Sequence, residues 1–436
     1  MIQYVIEGGH ELRGTVCISG AKNAALAVIP ACILVKGNYK LDNLPDVHDI
    51  RTLIELLSGM GVKVTQHSPN CYELDSRDAA WDKVDDTLAR KIRGSYYLAG
   101  ACLGRFGKAQ VALPGGCNFG SRPVDLHLKG FQALGATAEQ RGGHIIADSE
   151  GNKLAGGTVY LDYSVGATAN VILAAVLADG TTIIENAAKE PHIVDLANFL
   201  NFCGAEVRGA GTDVIKIHGK NELVARDYAI IPDQIEAGTY MAAVAATGGE
   251  LILENVIPKH LDCISVHLEE AGVEITPIQD RDAVIVKRNG ALKATSVKTA
   301  TYPGFPTDMQ PQMGALLAIA EGTSTITERI FENRFQAIGE LLLMNAVIEV
   351  DGRLAVYKGV PQLSGAVVKA SDLRCGSALV VAGLAAWGTT VIRDAFHIER
   401  GYEDLVGKLQ AVGAKITRVE LPPEEAMAAD VSTLAG

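Results

Sequence analysis

Six stretches of this chain repeat one pattern, and no other feature limits the fold as tightly. Each reads as a strand, a short polar loop, an amphipathic helix, a tight turn and a second strand. The copies are LDNLPDVHDIRTLIELLSGMGVKV, LPGGCNFGSRPVDLHLKGFQALGATA, IIENAAKEPHIVDLANFLNFCGAEV, LILENVIPKHLDCISVHLEEAGVEI, ITERIFENRFQAIGELLLMNAVIEV and VIRDAFHIERGYEDLVGKLQAVGAKI. Their turns fall at Gly61, Gly135, Gly204, Gly272, Asn345 and Gly413, spaced by 68 to 74 residues. A residue just past a helix is commonly left-handed, which suits glycine best and asparagine next. Asn345 therefore obeys the same backbone constraint as the five glycines.

A second element alternates with the first: a polar start, then a helix of small apolar residues. It begins at Ser19, Arg90, Ser164, Pro232, Phe305 and Ser371. Helices apolar nearly all round are buried ones. Strands separated by exposed and buried helices predict an α/β fold of six βαβαββ-like units. Six units of this size exceed one core and suit two domains of three. We place one domain at residues 22–231. The other joins residues 1–21 to 232–436, the N-terminal strand pairing with the second half. The active site is expected in the cleft between them.

Charge and composition remove several function classes. Acidic residues outnumber basic ones by 51 to 39, a net charge of −12, which argues against a nucleic-acid protein held by a basic face. Any anionic ligand needs a local cluster of Lys and Arg. The N-terminus Met1-Ile2-Gln3-Tyr4 has no basic or apolar leader, and Ala24 to Val35 falls short of the roughly 20 residues of a spanning helix. No membrane insertion is expected. None of the eight cysteines forms a CxxC pair, so reduced thiols are the default. No metal-ligand pattern is present, and no metal or cofactor is expected. The sequence names no protein partner. His127 and His397, each alone, read as structural.

The polar residues of the buried helices gather at their starts: Lys22 and Asn23; Arg90, Lys91 and Arg93; Ser164 and Thr168; Asp233 and Glu236; Thr307 and Asp308; Asp372 and Arg374. Ser, Thr and Asp there are ordinary caps, but several such termini together would also make an anion-binding cavity. Lys22, Arg93 and Arg374 oppose the helix dipole and need another reason. The segment Pro114 to His127, PGGCNFGSRPVDLH, surrounds Cys117 with glycines and places Arg122 nearby. Two readings stand for Cys117: an inert loop cysteine, or a thiol of lowered pKa acting as acid or nucleophile. The loop lacks the G-x-x-x-x-G-K-[ST] pattern of a P-loop.

The motifs SGAKNAAL (19–26), LPGGCNFGSRPVDLH (113–127), SVGAT (164–168), IIENAAKEP (183–191), IEAGTY (235–240), PGFPTDMQPQ (303–312), FENRF (331–335), DLR (372–374) and HIERGYEDL (397–405) resemble, in order, those of the enolpyruvyl transferase family, specifically its UDP-N-acetylglucosamine 1-carboxyvinyltransferases. The resemblance runs from about residue 3 to 417. The shikimate-pathway branch would show a GDKS-type segment in place of SGAKN and would lack the cysteine loop.

The resemblance implies a two-domain inside-out α/β barrel of six βαβαββ repeats in a cytoplasmic bacterial enzyme. The implied reaction moves the enolpyruvyl group of phosphoenolpyruvate to the 3-hydroxyl of UDP-N-acetylglucosamine, with release of phosphate. By the same resemblance, Cys117 is general acid and nucleophile and the target of fosfomycin. Lys22, Arg122 and Arg400 hold phosphoenolpyruvate, supported by Arg93 and Arg374. Asn23 orients substrate, and Asp308 is the candidate base at the sugar hydroxyl. Arg122, Pro123, Val124, Asp125, Leu126, Ser164, Val165, Gly166 and Ile330 line the nucleotide-sugar site, with Asn23 and Arg93 beside them. Two departures stand out: Asp162-Tyr163-Ser164 is one residue shorter than the family stretch, and Gln234 replaces an arginine. A non-catalytic paralogue on the same scaffold, or a transferase with another acceptor, are the rival readings. The tail from Val419 is expected to lie loosely beyond the sixth unit.

Overall fold

The computed structural model describes residues 1–113 and 124–422. The chain is α/β and divides into two compact units, Ser19–Pro232 and Met1–Ile18 with Asp233–Gly436.

Within Ser19–Pro232 the described strands form three sheets. In one, Asn38–Asp42 runs parallel to Tyr228–Ala229 and antiparallel to Cys71–Asp75, which pairs with Lys63–Ser68. In another, Thr181–Glu185 runs parallel to Thr158–Tyr160 and antiparallel to Val214–His218, followed by Glu206–Arg208. The third has three antiparallel strands, Lys108–Ala112, His144–Asp148 and Thr137–Arg141. The helices Lys22–Ala31, Tyr97–Phe106 and Val165–Ala175 are apolar around most of their circumference and supply the centre of this unit's core. Helix His48–Gly59 instead buries one face through Leu53, Leu56 and Leu57, each burial contributing roughly 1.5–3 kcal/mol.

The other unit repeats the arrangement. Gly249–Glu254 runs parallel to Leu12–Cys17 and antiparallel to Ala283–Arg288. Thr323–Thr327 runs parallel to Ser296–Lys298 and antiparallel to Leu354–Lys358. Thr389–Arg393 runs parallel to Val367–Lys369 and antiparallel to Ile2–Glu7, which lies between it and Lys415–Glu420. The buried helices are Gln234–Thr247, Gln310–Leu317 and Leu373–Ala385.

The turns identified from the repeat share one backbone conformation. Gly61, Gly135, Gly204, Gly272 and Gly413 have φ between 86° and 100°, and Asn345 has φ 64°. Two expectations change. Arg90 and Lys91 do not open a buried helix; they end a separate short helix, Asp86–Lys91, where cations favour the dipole. Its N-cap is Asp85, whose carboxylate accepts from the Leu88 amide at 2.9 Å. Val419 belongs to a strand rather than a loose tail: it pairs with Gln3, and the Leu421 amide donates to the Met1 carbonyl at 2.8 Å.

Candidate functional site

In the unit Ser19–Pro232, Lys22 opens its helix beside Ala21, which offers no side-chain cap. The reason a cation sits at this positive end is Asp49, whose Oδ2 lies 2.7 Å from the Lys22 ammonium, with side chains 5% and 13% exposed. Asn23 follows, half-buried. Arg93 lies not in the buried helix but in the 3-10 turn Arg93–Tyr96 that precedes it. Its Nε is buried without a hydrogen-bond partner among the described residues.

Arg93 lies close enough to His127 to disfavour that ring's protonation. Burial is the larger cause, and together they hold the imidazole down at about 4, against the opposing pull of Asp125. His127 Nδ1 accepts from Asn170 Nδ2 at 2.8 Å, so the network assigns the ring proton to Nε2. Asn170 also donates to the Tyr96 carbonyl at 3.1 Å and accepts from the Gly100 amide at 2.8 Å. His127 is thus tied into a buried hydrogen-bond network with Asn170.

Val124 occupies the N-cap position of helix Asp125–Ala133 without a side-chain capping bond, and the first turn holds the exposed Asp125 and the half-buried Leu126. Ser164 caps helix Val165–Ala175 by accepting from the Ala167 amide at 3.2 Å. Gly166 packs closely, since a Cβ there would stand 3.0 Å from both His127 Cε1 and the Tyr96 hydroxyl, a contact that needs a small shift of those rings. Tyr163, just before the cap, has φ 29°, with its hydroxyl donating to Glu190. Thr168 accepts from the Ala188 amide at 3.1 Å, another structural tie. Cys117, Arg122 and Pro123 lie outside the described residues.

In the other unit Asp308 lies in the 3-10 turn Thr307–Met309 and meets one further candidate, Arg374. Arg334 donates to Oδ1 at 2.8 Å and Arg374 to Oδ2 at 3.0 Å. The guanidinium-bearing side chains are 3% and 10% exposed, whereas Asp308 keeps 31% of its own open. Burial opposes the charge of Arg374, but Asp308, Tyr402 and Asp233 outweigh it and leave its pKa raised. That carboxylate explains why a cation tolerates the helix start there. Asp372 caps the same helix, accepting from the Arg374 amide at 2.7 Å. Behind Arg374 the Tyr402 hydroxyl bonds Thr239 at 2.7 Å, and Gln312 donates to Thr239 at 3.2 Å.

Asp233 caps helix Gln234–Thr247, and Glu236 in its first turn accepts from Lys408 at 2.7 Å. Gln234 contributes no charge, and its Oε1 is buried without a partner among the described residues. Arg400 sits half-buried at the end of the short helix Phe396–Glu399, where it also disfavours protonation of the partly buried His397. The Ile330 amide donates to Glu328 at 2.7 Å.

Sequence reasoning missed Asp49, Asn170, Glu328 and Arg334. Arg334 lay inside a quoted motif, FENRF, without a role; the others carried no local signal. Among the described residues no group of three or more His, Cys, Asp or Glu is placed to hold a metal. No helix among them is long and apolar enough to cross a membrane.

Comparison with known proteins adds the following. The family model of EPSP synthase (3-phosphoshikimate 1-carboxyvinyltransferase) matches residues 6–409. A UDP-N-acetylglucosamine 1-carboxyvinyltransferase of Clostridium botulinum is 50% identical over 421 residues, 96% of this chain and 100% of that protein. UDP-N-acetylglucosamine 1-carboxyvinyltransferase 2 of Carboxydothermus hydrogenoformans is 51% identical over 427 residues, with 96% and 100% covered. Among solved structures, the enolpyruvyl transferase NikO from Streptomyces tendae superposes with a TM-score of 0.86 at 26% identity, over 97% of this chain and 99% of its own. An EPSP synthase from Acinetobacter baumannii, at 18% identity and TM-score 0.74 over 96% and 100%, shares the fold.

Proposed function

Since the chain belongs to the EPSP synthase family of enolpyruvyl transferases, on the branch of the UDP-N-acetylglucosamine 1-carboxyvinyltransferases, we propose that it transfers the enolpyruvyl group of phosphoenolpyruvate to the 3-hydroxyl of UDP-N-acetylglucosamine. Phosphate leaves, and the product is committed to peptidoglycan synthesis. Both substrates are cytoplasmic metabolites, so the work belongs in the bacterial cytoplasm.

The reading draws its residues from both units. Phosphoenolpyruvate carries up to three negative charges, which calls for several convergent cations. Lys22, Arg122 and Arg400 take its phosphate and carboxylate, with Arg93 and Arg374 in support. Asn23 orients the acceptor, and Val124 to Leu126, Ser164 to Gly166, Pro123 and Ile330 line the nucleotide sugar. The reaction adds and then eliminates. The 3-hydroxyl oxygen bonds to C2 of phosphoenolpyruvate while Cys117 delivers a proton to C3 and Asp308 takes the hydroxyl proton. The C2–O bond to phosphate then breaks, a C3 proton leaves, and the double bond returns. Carboxylate charge near C2 stabilises its cationic character on the way.

The observation that carries the reading is the Asp308 carboxylate, gripped by two buried guanidinium groups yet still partly open to solvent. An acceptor-only group held in a fixed direction suits a base aimed at one hydroxyl. Among the described residues, six sheets and six matching left-handed turns support the finer fold reading, an inside-out α/β barrel of six βαβαββ repeats. We take residues 22–231, and 1–21 with 232–436, as its three-repeat domains. The test is phosphate release from phosphoenolpyruvate with and without UDP-N-acetylglucosamine. Release that depends on the acceptor is expected; release indifferent to it would overturn the substrate assignment.

A further inference from the structure

We propose that Glu328 is a positioning residue for the acceptor, fixing Asp308 and the Ile330 turn relative to each other; this rests on the assignment of Asp308 and Ile330 to the nucleotide sugar.

The position departs from what the recurring fold requires. The turns leaving three other central strands share one solution. Asp42, Glu185 and Glu254 end their strands and are exposed. Each precedes an asparagine of positive φ: Asn43 at 54°, Asn186 at 55° and Asn255 at 55°. Those asparagines donate to the carbonyls of Ile230, Leu161 and Ile18 at 2.7, 2.8 and 2.6 Å. After Thr323–Thr327 the pattern breaks. Arg329 stands where the asparagine would, outside the positive-φ set, and the preceding carboxylate turns inward.

Glu328 is 1% exposed. Its Oε1 accepts from Thr299 Oγ1 at 2.9 Å and from the Ile330 and Phe331 amides at 2.7 and 3.0 Å. Its Oε2 accepts from Thr307 Oγ1 at 3.0 Å. None of these four donors is a cation, so hydrogen bonds alone satisfy a buried carboxylate. Such a group is costly to bury and earns its place only when fully satisfied. The fold manages elsewhere with an exposed residue, so the burial serves something local to this turn.

What it joins is specific. Thr307 immediately precedes Asp308, and Ile330 lies two residues beyond Glu328. Arg334, from the same loop, meets Asp308 as well. One carboxylate therefore holds the backbone that carries the candidate base against the turn expected to line the nucleotide sugar. A site held by its supporting shell loses geometry when that shell loosens.

The experiment compares Glu328→Gln, Thr307→Val and Thr307→Ser by steady-state phosphate release, with each substrate varied in turn. Glutamine keeps the shape but puts an NH2 where one acceptor oxygen stood; valine removes the hydroxyl and serine restores it. Glu328→Gln and Thr307→Val should each raise the KM for UDP-N-acetylglucosamine about tenfold, the scale of one buried hydrogen bond lost. The KM for phosphoenolpyruvate should stay within twofold, and Thr307→Ser should restore the wild-type value. A merely structural role predicts a smaller active fraction with both KM values unchanged, and that result would overturn the proposal. So would a serine variant as impaired as the valine one. If Glu328→Gln does not fold, the threonine pair decides. Wild-type release indifferent to the acceptor would instead overturn the underlying functional reading, a separate outcome from unaltered acceptor KM values in an acceptor-dependent enzyme.

Discussion

Replacing Arg334 with methionine tests whether Asp308 works because it is held. Methionine keeps much of the apolar stem and removes the guanidinium, separating lost charge from lost packing. Arg334 donates to Asp308 at 2.8 Å from a side chain 3% exposed. Breaking a fully buried ion pair costs about 3–5 kcal/mol. Asp308, however, is 31% exposed and keeps Arg374 at 3.0 Å, so the loss belongs to the lower range of a charged hydrogen bond, about 2 kcal/mol. At about 1.4 kcal/mol per tenfold, kcat/KM should fall roughly 30-fold, chiefly through kcat. Initial rates of phosphate release with both substrates varied would show this, alongside a melting curve and the Asp308→Asn variant. A folded Arg334→Met enzyme within twofold of wild type, while Asp308→Asn is crippled, would refute the idea that orientation by Arg334 matters.

Burial pushes the Asp195 carboxyl up to about 6 from an ordinary 3.8, although Tyr228 and the Ile231 amide hydrogen bond to it. A raised carboxyl contributes stability below pH 3.8 that is lost as pH rises through about 6, so Asp195→Asn should stabilise the protein at pH 7 by up to about 3 kcal/mol; denaturant unfolding at pH 4 and 7 checks the sign. Gly166→Ala would press on His127 and Tyr96 from 3.0 Å, so it should cost roughly 1–3 kcal/mol of stability and raise the KM for the nucleotide sugar more than that for phosphoenolpyruvate. Wild-type kinetics and melting temperature in that variant would count against the close contact. Cys117→Ser should lose most turnover, whereas Cys117→Asp, still a proton donor, should keep activity and resist fosfomycin; a fully active serine variant would refute the acid role.

Much of the architecture was legible because its signals are local. The αL turns at Gly61 to Gly413, with Asn345 obeying the same rule, mark every helix end in the register, and small-residue runs mark every buried helix. The error at Arg90 has a local cause too: the cap at Asp85 went unread, so an extra helix was merged into the next one. Among site residues, Lys22, Arg93 and Arg374 stood out because a cation at a helix start opposes the dipole, whereas Asp308 drew its role from the resemblance. Asp49, Asn170, Glu328 and Arg334 did not, since each acts through partners 21 to 74 positions away along the chain or across a turn that nothing nearby marks. A glutamate at a strand end, like Glu185 or Glu254, gives no hint that one of its kind faces inward.

The strand Ile2–Glu7 has its two neighbours at Thr389–Arg393 and Lys415–Glu420. A ribosome makes it long before either partner. Throughout synthesis of the intervening chain its backbone amides and carbonyls await a match, while Ser19–Pro232 already contains everything its own three sheets need. The sheet that Ile2–Glu7 belongs to is therefore closed only by strands made after the whole of the other unit.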